Sequence, residues 1–137
     1  MVLSGFPEKI VPTFPETETL TSTIIAAAIE VHRCLGPGLL ESIYEDCLAE
    51  ECLSRGLEVR RQVEVPVLYK GRRLQSVYRL DLIINNAVVV EVKAIEAILG
   101  VHKAQVLTYL KLTGMRLGLL HNFNVPVLRN GVTRLIL

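Results

Sequence analysis

The sequence lacks the segments that direct a chain into or across a membrane. No apolar run approaches the roughly 20 residues that a membrane-spanning helix needs. Met1 is not followed by a basic stretch and an apolar signal core, so secretion is not expected. Trp is absent and aromatic residues make up 5% of the 137 residues, whereas half of the chain is hydrophobic. These numbers predict one domain with a core of aliphatic side chains and no membrane partner.

Several metal-binding and catalytic motifs are also missing. The three cysteines, Cys34, Cys47 and Cys52, lack metal-ligand spacing and lie in helical patterns, where small buried thiols in a reducing cytoplasm are expected. The histidines do not pair at zinc spacing, and no serine has a histidine–acid arrangement. No glycine-rich loop follows a strand to bind phosphates. Zinc, serine-hydrolase and ATP-driven chemistry therefore have no support.

Charge is balanced overall but uneven along the chain. The net charge is +1 at pH 7, and one quarter of the chain carries a basic cluster of Arg55, Arg60, Arg61, Lys70, Arg72, Arg73 and Arg79. Such a cluster could neutralise the phosphates of a nucleic acid. It could equally be a solvated strand edge that discourages aggregation. The sequence leaves both interpretations open.

Hydrophobic spacing divides the chain into helices and strands. Residues 1–17 contain three prolines and no periodicity, which predicts an extended N-terminal arm before a domain over 18–137. Apolar spacing predicts helices from about Thr19 to Leu35, from Leu40 to Gly56 and from Val101 to Leu112. Alternation or apolar runs predict strands near 61–67, 74–84, 87–92, 116–121 and 132–137, the first at an edge because of Pro66 and the third central. This order predicts an α/β fold whose sheet has helices on both faces.

Three ionisable residues interrupt strands that are otherwise apolar. They are Asp81, Glu91 and Lys93, and a charge at such a position is costly unless it is paired or bound to a metal. Glu91 and Lys93 are two residues apart and share one face of the sheet, so a buried ion pair is the simplest structural explanation. Asp81 adds a second carboxylate against one lysine. This surplus of negative charge suits a hard divalent cation, Mg²⁺ or Mn²⁺.

The length of one hairpin loop decides whether the two carboxylates can meet. A two-residue loop at 85–86 would place Asp81 opposite Val90 and turn it away from Glu91. A shared site needs Asp81 opposite Glu91, and hence an odd loop such as 85–87 or a bulge. We predict this arrangement. Carboxyl groups on opposite faces would exclude a metal site.

Asp81, Glu91 and Lys93 at this spacing resemble the hairpin core of the PD-(D/E)xK nuclease superfamily. The resemblance implies a three-layer α/β/α restriction-endonuclease-like fold with a central mixed sheet. By that resemblance Asp81, Glu91 and the Val92 carbonyl hold the metal, while Lys93 positions or activates the attacking water and stabilises negative charge on the phosphorane. Leu80 replaces the proline of the superfamily's name, at a position that varies across the superfamily.

The third predicted helix carries a second likeness. Gln105 and Tyr109 are four residues apart and share a face, which His102 can join. Gln-x-x-x-Tyr after Glu-x-Lys resembles the exonuclease-type branch of the superfamily, in which the glutamine lies beside the metal site. The alternative is the polar edge of an amphipathic helix with a half-buried tyrosine. We favour the functional interpretation because of the preceding Glu-x-Lys.

Residues 38–44, Gly-Leu-Leu-Glu-Ser-Ile-Tyr, match the signature of the GxxExxY family. The likeness runs from about Leu20 through Leu137. It includes Gly36-Pro37-Gly38, Tyr44-Glu45, Tyr78-Arg79-Leu80-Asp81, Glu91-Val92-Lys93, His102-Lys103-Ala104-Gln105, Tyr109-Leu110-Lys111, Thr113-Gly114 and Asn122-Phe123-Asn124. It implies that Glu41 is an auxiliary metal or water ligand over the site. Capping by Glu41 and core packing by Tyr44 are the structural alternatives.

The resemblance implies a Mg²⁺-dependent nuclease that hydrolyses phosphodiester bonds, with DNA favoured over RNA. Its catalytic set would be Glu41, Asp81, Glu91, Lys93, Gln105 and Tyr109. The chain has little room beyond a catalytic core, so sequence specificity would come from a protein partner or an oligomer. A symmetric homodimer would bury apolar surface. Two alternatives remain, a binding or assembly module without turnover and a hydrolase of smaller phosphodiesters or nucleotides.

Overall fold

The computed structural model describes residues 14–137. Its elements are α1 (Phe14–Leu35), α2 (Glu41–Ser54), β1 (Val59–Tyr69), β2 (Arg72–Ile84), β3 (Val88–Lys93), α3 (Gly100–Thr113), β4 (Leu117–Asn122), a 3₁₀ turn (Leu128–Gly131) and β5 (Val132–Ile136). The strands form one sheet in the order β1-β2-β3-β4-β5. β3 and β4 are parallel and the other neighbours are antiparallel, so the sheet is mixed as expected.

Helices cover both faces of this sheet. On one face, Ala28 of α1 and Leu48 of α2 belong to the same buried cluster as Val90 of β3. On the other face, Val106 of α3 belongs to a second buried cluster with Val89. Neighbouring β3 residues thus enter opposite cores, because successive side chains of a strand point to opposite faces. The predicted three-layer α/β/α architecture is confirmed.

The position of each strand follows from its sequence. β3 is central, and Val88 to Val92 are buried at every position, as an unbroken β-branched run predicts. β1 is an edge strand, which Pro66 allows because an edge position needs no ladder N–H from it. Both placements confirm the predictions from the sequence.

Two predictions differ from the structure at its N-terminal end. α1 begins at Phe14 rather than near Thr19, so the last residues of the predicted extended arm are helical, and residues 1–13 lie outside the described part of the chain. The expectation of buried thiols was wrong for Cys34, which is exposed at the end of α1, and right for Cys52. Between Phe14 and Leu137, no helix combines the length and apolar character that crossing a bilayer requires.

The β1–β2 hairpin extends beyond the rest of the sheet. β2 pairs with β3 over Leu82–Ile84, whereas its pairing with β1 continues to the turn at Tyr69 and Arg72. Residues 68–76 are exposed at every position. We call these nine residues the ribbon tip; they protrude as two strands past the helices and past β3.

Candidate carboxylate site on the hairpin between strands 2 and 3

The loop between β2 and β3 has the odd length that a shared site requires. Leu82 pairs with Val90 and Ile84 pairs with Val88, which leaves residues 85–87 as a three-residue loop. One further step in this register places Asp81 opposite Glu91. Asn85 and Asn86 have φ angles of 50° and 54°, and asparagine tolerates this left-handed region better than most residues. The prediction of an odd loop is confirmed.

Asp81 and Glu91 are joined by two hydrogen bonds that cross between the strands. The backbone N–H of Asp81 donates to Oε1 of Glu91 at 3.1 Å. The backbone N–H of Val92 donates to Oδ2 of Asp81 at 2.9 Å. Each carboxylate therefore accepts from the backbone of the opposite strand, and the two acidic groups lie side by side on the hairpin.

This proximity makes it costly for both groups to carry a negative charge at the same time. Glu91 is 4% exposed. Burial raises the pKa of Glu91 well above its ordinary value, and the neighbouring Asp81 charge raises it further, while Lys93 opposes the change. Among residues 14–137, no ion pair joins Glu91 to Lys93. The site is therefore not the simple buried ion pair that the sequence allowed.

Tyr109 of α3 lies close enough to the carboxylate pair to respond to its charge. Its side chain is buried, and burial followed by the charges of Glu91 and Asp81 raises its pKa to about 12. Its ring meets Tyr78 of β2 edge-on at 5.7 Å between centroids. Gln105, one turn earlier, is exposed, and its side chain forms no hydrogen bond within the described residues. The structure thus brings Tyr109 to the carboxylates and leaves Gln105 at the surface of the same helix.

His102 has a local role at the start of α3. Its Nδ1 accepts a hydrogen bond from the backbone N–H of Leu99 at 2.8 Å. This bond satisfies one of the backbone donors that a helix leaves free at its N-terminus. His102 therefore caps the helix that carries Gln105 and Tyr109.

Glu41 lies at the end of β3. It is the first residue of α2, is exposed, and accepts a hydrogen bond from the backbone N–H of Ala94 at 3.3 Å. Ala94 directly follows Lys93, so Glu41 is anchored beside the lysine end of the strand. Its role as a metal or water ligand stays a prediction.

Tyr44 fixes the loop from which Glu41 projects. Its hydroxyl donates to the Gly36 carbonyl and accepts from the Leu39 N–H at 3.1 Å. Its ring is fully buried and stacks on Phe123 at 4.6 Å between centroids. Gly36 and Gly38 have φ angles of 67° and 97°, which favour glycine. The tyrosine of the GxxExxY signature thus supports the geometry of the loop.

A third acidic side chain, missed in the sequence, borders the site. Glu45 of α2 is buried and accepts hydrogen bonds from Arg61 at 2.8 Å and from the amide of Gln62. The same Gln62 amide reaches Oδ1 of Asp81 at 3.5 Å. Burial and the Asp81 charge raise the pKa of Glu45. The four-residue spacing from Glu41 to Glu45 was the available signal, because it places both carboxylates on one helix face.

Asn122, also missed, holds the chain just after Lys93. Its side-chain amide accepts from the Ile95 N–H at 3.1 Å and donates to the Ile95 carbonyl at 2.9 Å. The next residue, Phe123, donates its N–H to the Lys93 carbonyl at 2.9 Å. The end of β4 therefore positions the end of β3. The Asn-Phe-Asn segment of the family likeness was the signal for this contact.

The donor groups fit a hard divalent cation of the Mg²⁺ type. Within residues 14–137, no group of three or more His, Cys, Asp or Glu side chains is arranged to hold a metal ion. Asp81 and Glu91 offer two carboxylates, and Mg²⁺ is commonly bound through one or two carboxylates while it keeps several waters. A cation there would also offset the charge repulsion that the raised pKa of Glu91 records.

The fold and this site define an α/β protein with paired acidic residues and a lysine on a central hairpin. The sequence model of the PD-(D/E)XK nuclease superfamily matches residues 18–135, and the chain belongs to this superfamily. Comparisons with curated proteins and with solved structures gave no significant match. Membership indicates nuclease activity on a nucleic acid substrate, and enzymes of this superfamily generally depend on divalent metals.

Proposed function

We propose that this protein is a Mg²⁺-dependent nuclease that hydrolyses phosphodiester bonds, with DNA preferred to RNA. The observation that carries the proposal is the side-by-side placement of Asp81 and Glu91, next to Lys93 on β3. A nucleic acid phosphate needs a cation where its negative charge increases during hydrolysis. The paired carboxylates supply the place for it.

Each side chain of the proposed site has a distinct role. Asp81, Glu91 and the Val92 carbonyl would hold the metal, which when bound lowers the pKa of water and neutralises phosphate oxygens. Lys93 shares the sheet face of Glu91 and supplies a fixed positive charge beside the attacked phosphate. Tyr109 keeps its proton at neutral pH, because its pKa is raised to about 12, and its hydroxyl would be a hydrogen-bond donor available to the substrate.

The remaining members of the site lie around this centre. Glu41 is positioned beside Lys93 by Ala94, where it can orient a water at the entrance. Gln105 is exposed one turn before Tyr109 and can contact the substrate strand. We assign the chain to the GxxExxY group on the Gly38–Tyr44 signature and on the loop that Tyr44 holds.

The proposal extends to the setting in which the enzyme works. The described domain contains the sheet, three helices and little else, so sequence specificity is assigned to a protein partner or to a second copy of the chain. Exposed apolar residues such as Leu40 and Val101, which are 71% and 68% exposed, offer surface for such contacts. A cytoplasmic location agrees with three free cysteines.

A cleavage assay tests the proposal directly. Linear duplex DNA, nicked duplex DNA, single-stranded DNA and RNA are incubated with Mg²⁺, Mn²⁺ or a chelator. We expect cleavage with the metals, fastest on DNA, and a loss of at least about 100-fold in Asp81→Ala and Lys93→Ala. Glu96→Ala and Lys103→Ala remove matching exposed charges and should retain the rate.

Two outcomes contradict the proposal. Cleavage that survives both Asp81→Ala and Lys93→Ala identifies a contaminating nuclease. Absence of cleavage on every substrate, with a folded protein, indicates a nuclease fold used for binding or assembly. Mg²⁺ binding provides a readout that is independent of turnover: it should raise the melting temperature of the wild type and leave that of Asp81→Ala unchanged.

A further inference from the structure

The ribbon tip (residues 68–76) concentrates positive charge that nothing in the described chain neutralises. Lys70, Arg72 and Arg73 form no ion pair among residues 14–137, and residues 68–76 include no acidic residue. Other members of the basic cluster are paired: Arg79 with Glu64 at 2.9 Å, and Arg61 with Glu45. The structure therefore separates three unneutralised charges at the tip from paired charges nearer the sheet.

The shape of the tip differs from a protected sheet edge. Arg72 and Arg73 belong to β2, an interior strand of the sheet, and stand beyond the end of its pairing with β3. Tyr69 is 62% exposed, and the ammonium of Lys70 lies 5.5 Å from its ring centroid. Charges at the end of a protruding ribbon do little to shield the outer edge of β1. They are well placed to reach another molecule.

The ribbon is connected to the carboxylate site through one strand face. Arg72 pairs with Tyr69, and Tyr78 pairs with Val65. These two partners are four residues apart on β1, so Arg72 and Tyr78 lie on one face of the ribbon. Tyr78 contacts Tyr109, whose pKa is raised by burial and then by the charges of Glu91 and Asp81. The register shifts between the two β1–β2 pairs, so the distance from Arg72 to Tyr78 follows the four residues of β1, roughly 13 Å, or about four base pairs at 3.4 Å each. A duplex cleaved at the site would thus pass within reach of the tip.

We propose that the ribbon tip is a DNA-binding arm, in which Lys70, Arg72 and Arg73 contact backbone phosphates of a duplex several base pairs from the cleaved bond. The inference rests on the proposed nuclease function and adds how the substrate is held. Charge complementarity selects the occupant, because three free cations without a nearby acid suit a polyanion. A two-stranded ribbon also has the width that the DNA major groove admits.

The test measures DNA affinity without cleavage. Binding of a fluorescent duplex of about 20 base pairs, long enough to reach from the site to the tip at 3.4 Å per base pair, is followed by anisotropy over a range of KCl concentrations. All proteins carry Lys93→Ala to prevent turnover. One variant adds Lys70→Ser, Arg72→Ser and Arg73→Ser. Its matched control adds Lys111→Ser, Arg116→Ser and Arg129→Ser, which removes three exposed charges elsewhere.

We expect the ribbon variant to bind at least about tenfold more weakly near 0.1 M salt and to lose up to about 2.7 from the slope of log affinity against log salt. The control should change little. Equal losses in both variants, or unchanged affinity in the ribbon variant, overturn the proposal. A greater loss for single-stranded than for duplex DNA overturns the duplex assignment. A change in sedimentation mass confined to the ribbon variant identifies a second copy as the occupant.

The two proposals fail in different ways. If the ribbon variant loses duplex binding but the wild type cleaves nothing, the nuclease function is wrong and the binding arm stands. If cleavage requires Asp81 while the ribbon variant binds DNA normally, the DNA-binding role of the ribbon tip is wrong and the nuclease function is supported. Circular dichroism checks that both triple variants are folded, as expected for exposed positions.

Discussion

The carboxylates of Asp81 and Glu91 lie side by side, and each accepts a backbone hydrogen bond from the opposite strand of one hairpin. The pair is held from the sheet rather than from mobile loops. It is also under electrostatic stress, since burial and mutual repulsion raise the pKa of Glu91. A rigid acidic pair of this kind is what the proposed metal site requires.

Replacing Asp81 with Asn should lower the pKa of Glu91. Asparagine keeps an oxygen acceptor for the Val92 N–H and removes the neighbouring charge. The pKa of Glu91 is higher in the folded than in the unfolded chain. The free energy of unfolding therefore decreases as the pH rises above 4.5, the ordinary pKa of this carboxyl group. Asp81→Asn should weaken this pH dependence and stabilise the metal-free protein near pH 7. Carboxyl-carbon NMR titration and urea unfolding at several pH values measure both effects.

The matched control for this prediction is Asp46→Asn. Asp46 is an exposed carboxylate on α2 that pairs with Arg61 and does not contact Glu91. Asp46→Asn should leave the pKa of Glu91 unchanged. An unchanged Glu91 pKa in Asp81→Asn would show that the two carboxyl groups are not neighbours.

Tyr44→Phe should destabilise the protein by about 1–2 kcal/mol, because two hydrogen bonds of about 1 kcal/mol each are lost. The substitution keeps the stacking on Phe123 and removes the bonds to Gly36 and Leu39. Urea unfolding measures the loss, and Tyr69→Phe at an exposed position serves as control. A loss confined to cleavage, with normal stability, would instead place the Tyr44 hydroxyl in the chemistry.

Gly131→Ala should disrupt the contact that positions the end of β3. A Cβ at Gly131 would lie 2.0 Å from the Asn122 carbonyl oxygen, a backbone atom that cannot easily yield. We expect a destabilisation of about 1–3 kcal/mol. We also expect slower cleavage, because Asn122 binds Ile95 beside Lys93. Gly100→Ala, with nothing within 4 Å, is the control. Equal melting temperatures for both variants would refute the prediction.

His121→Leu should remove an acid sensitivity of the fold. Both ring nitrogens of His121 are buried without a hydrogen-bond partner in the described structure, and burial lowers its pKa to about 4. Between its ordinary value of 6.5 and about 4, the unfolded chain binds an extra proton, so stability falls as pH decreases. The slope is about 1.4 kcal/mol per pH unit. Urea unfolding at pH 5 and 7 should show this difference in the wild type and less of it in His121→Leu; equal differences would contradict it.

The sequence was sufficient for the places of β1 and β3 in the sheet and for the carboxylate pair. Pro66 placed β1 at an edge, and the unbroken β-branched run placed Val88 to Val92 at the centre. The odd hairpin loop followed from one requirement, that Asp81 and Glu91 share a face. The strand placements depend on local periodicity, which a single sequence records well.

Features that depend on distant partners were not predictable in the same way. Glu45 is buried because Arg61 and Gln62 reach it from β1, and helix spacing alone does not reveal such partners. Cys34 fits the helical pattern but lies where α1 leaves the core. In sequence the ribbon tip is an ordinary hairpin turn around Gly71. Its exposure comes from the point at which β3 stops pairing, which only the three-dimensional arrangement determines.

The three-residue loop at 85–87 also limits how this hairpin can change during evolution. Losing or gaining one residue there would keep a hairpin but rotate Asp81 to the far side of the sheet, apart from Glu91. Length changes in steps of two would preserve the pair. A single-codon deletion in this loop is therefore a direct route from an active relative to a folded, inactive one, without any substitution among the acidic residues themselves.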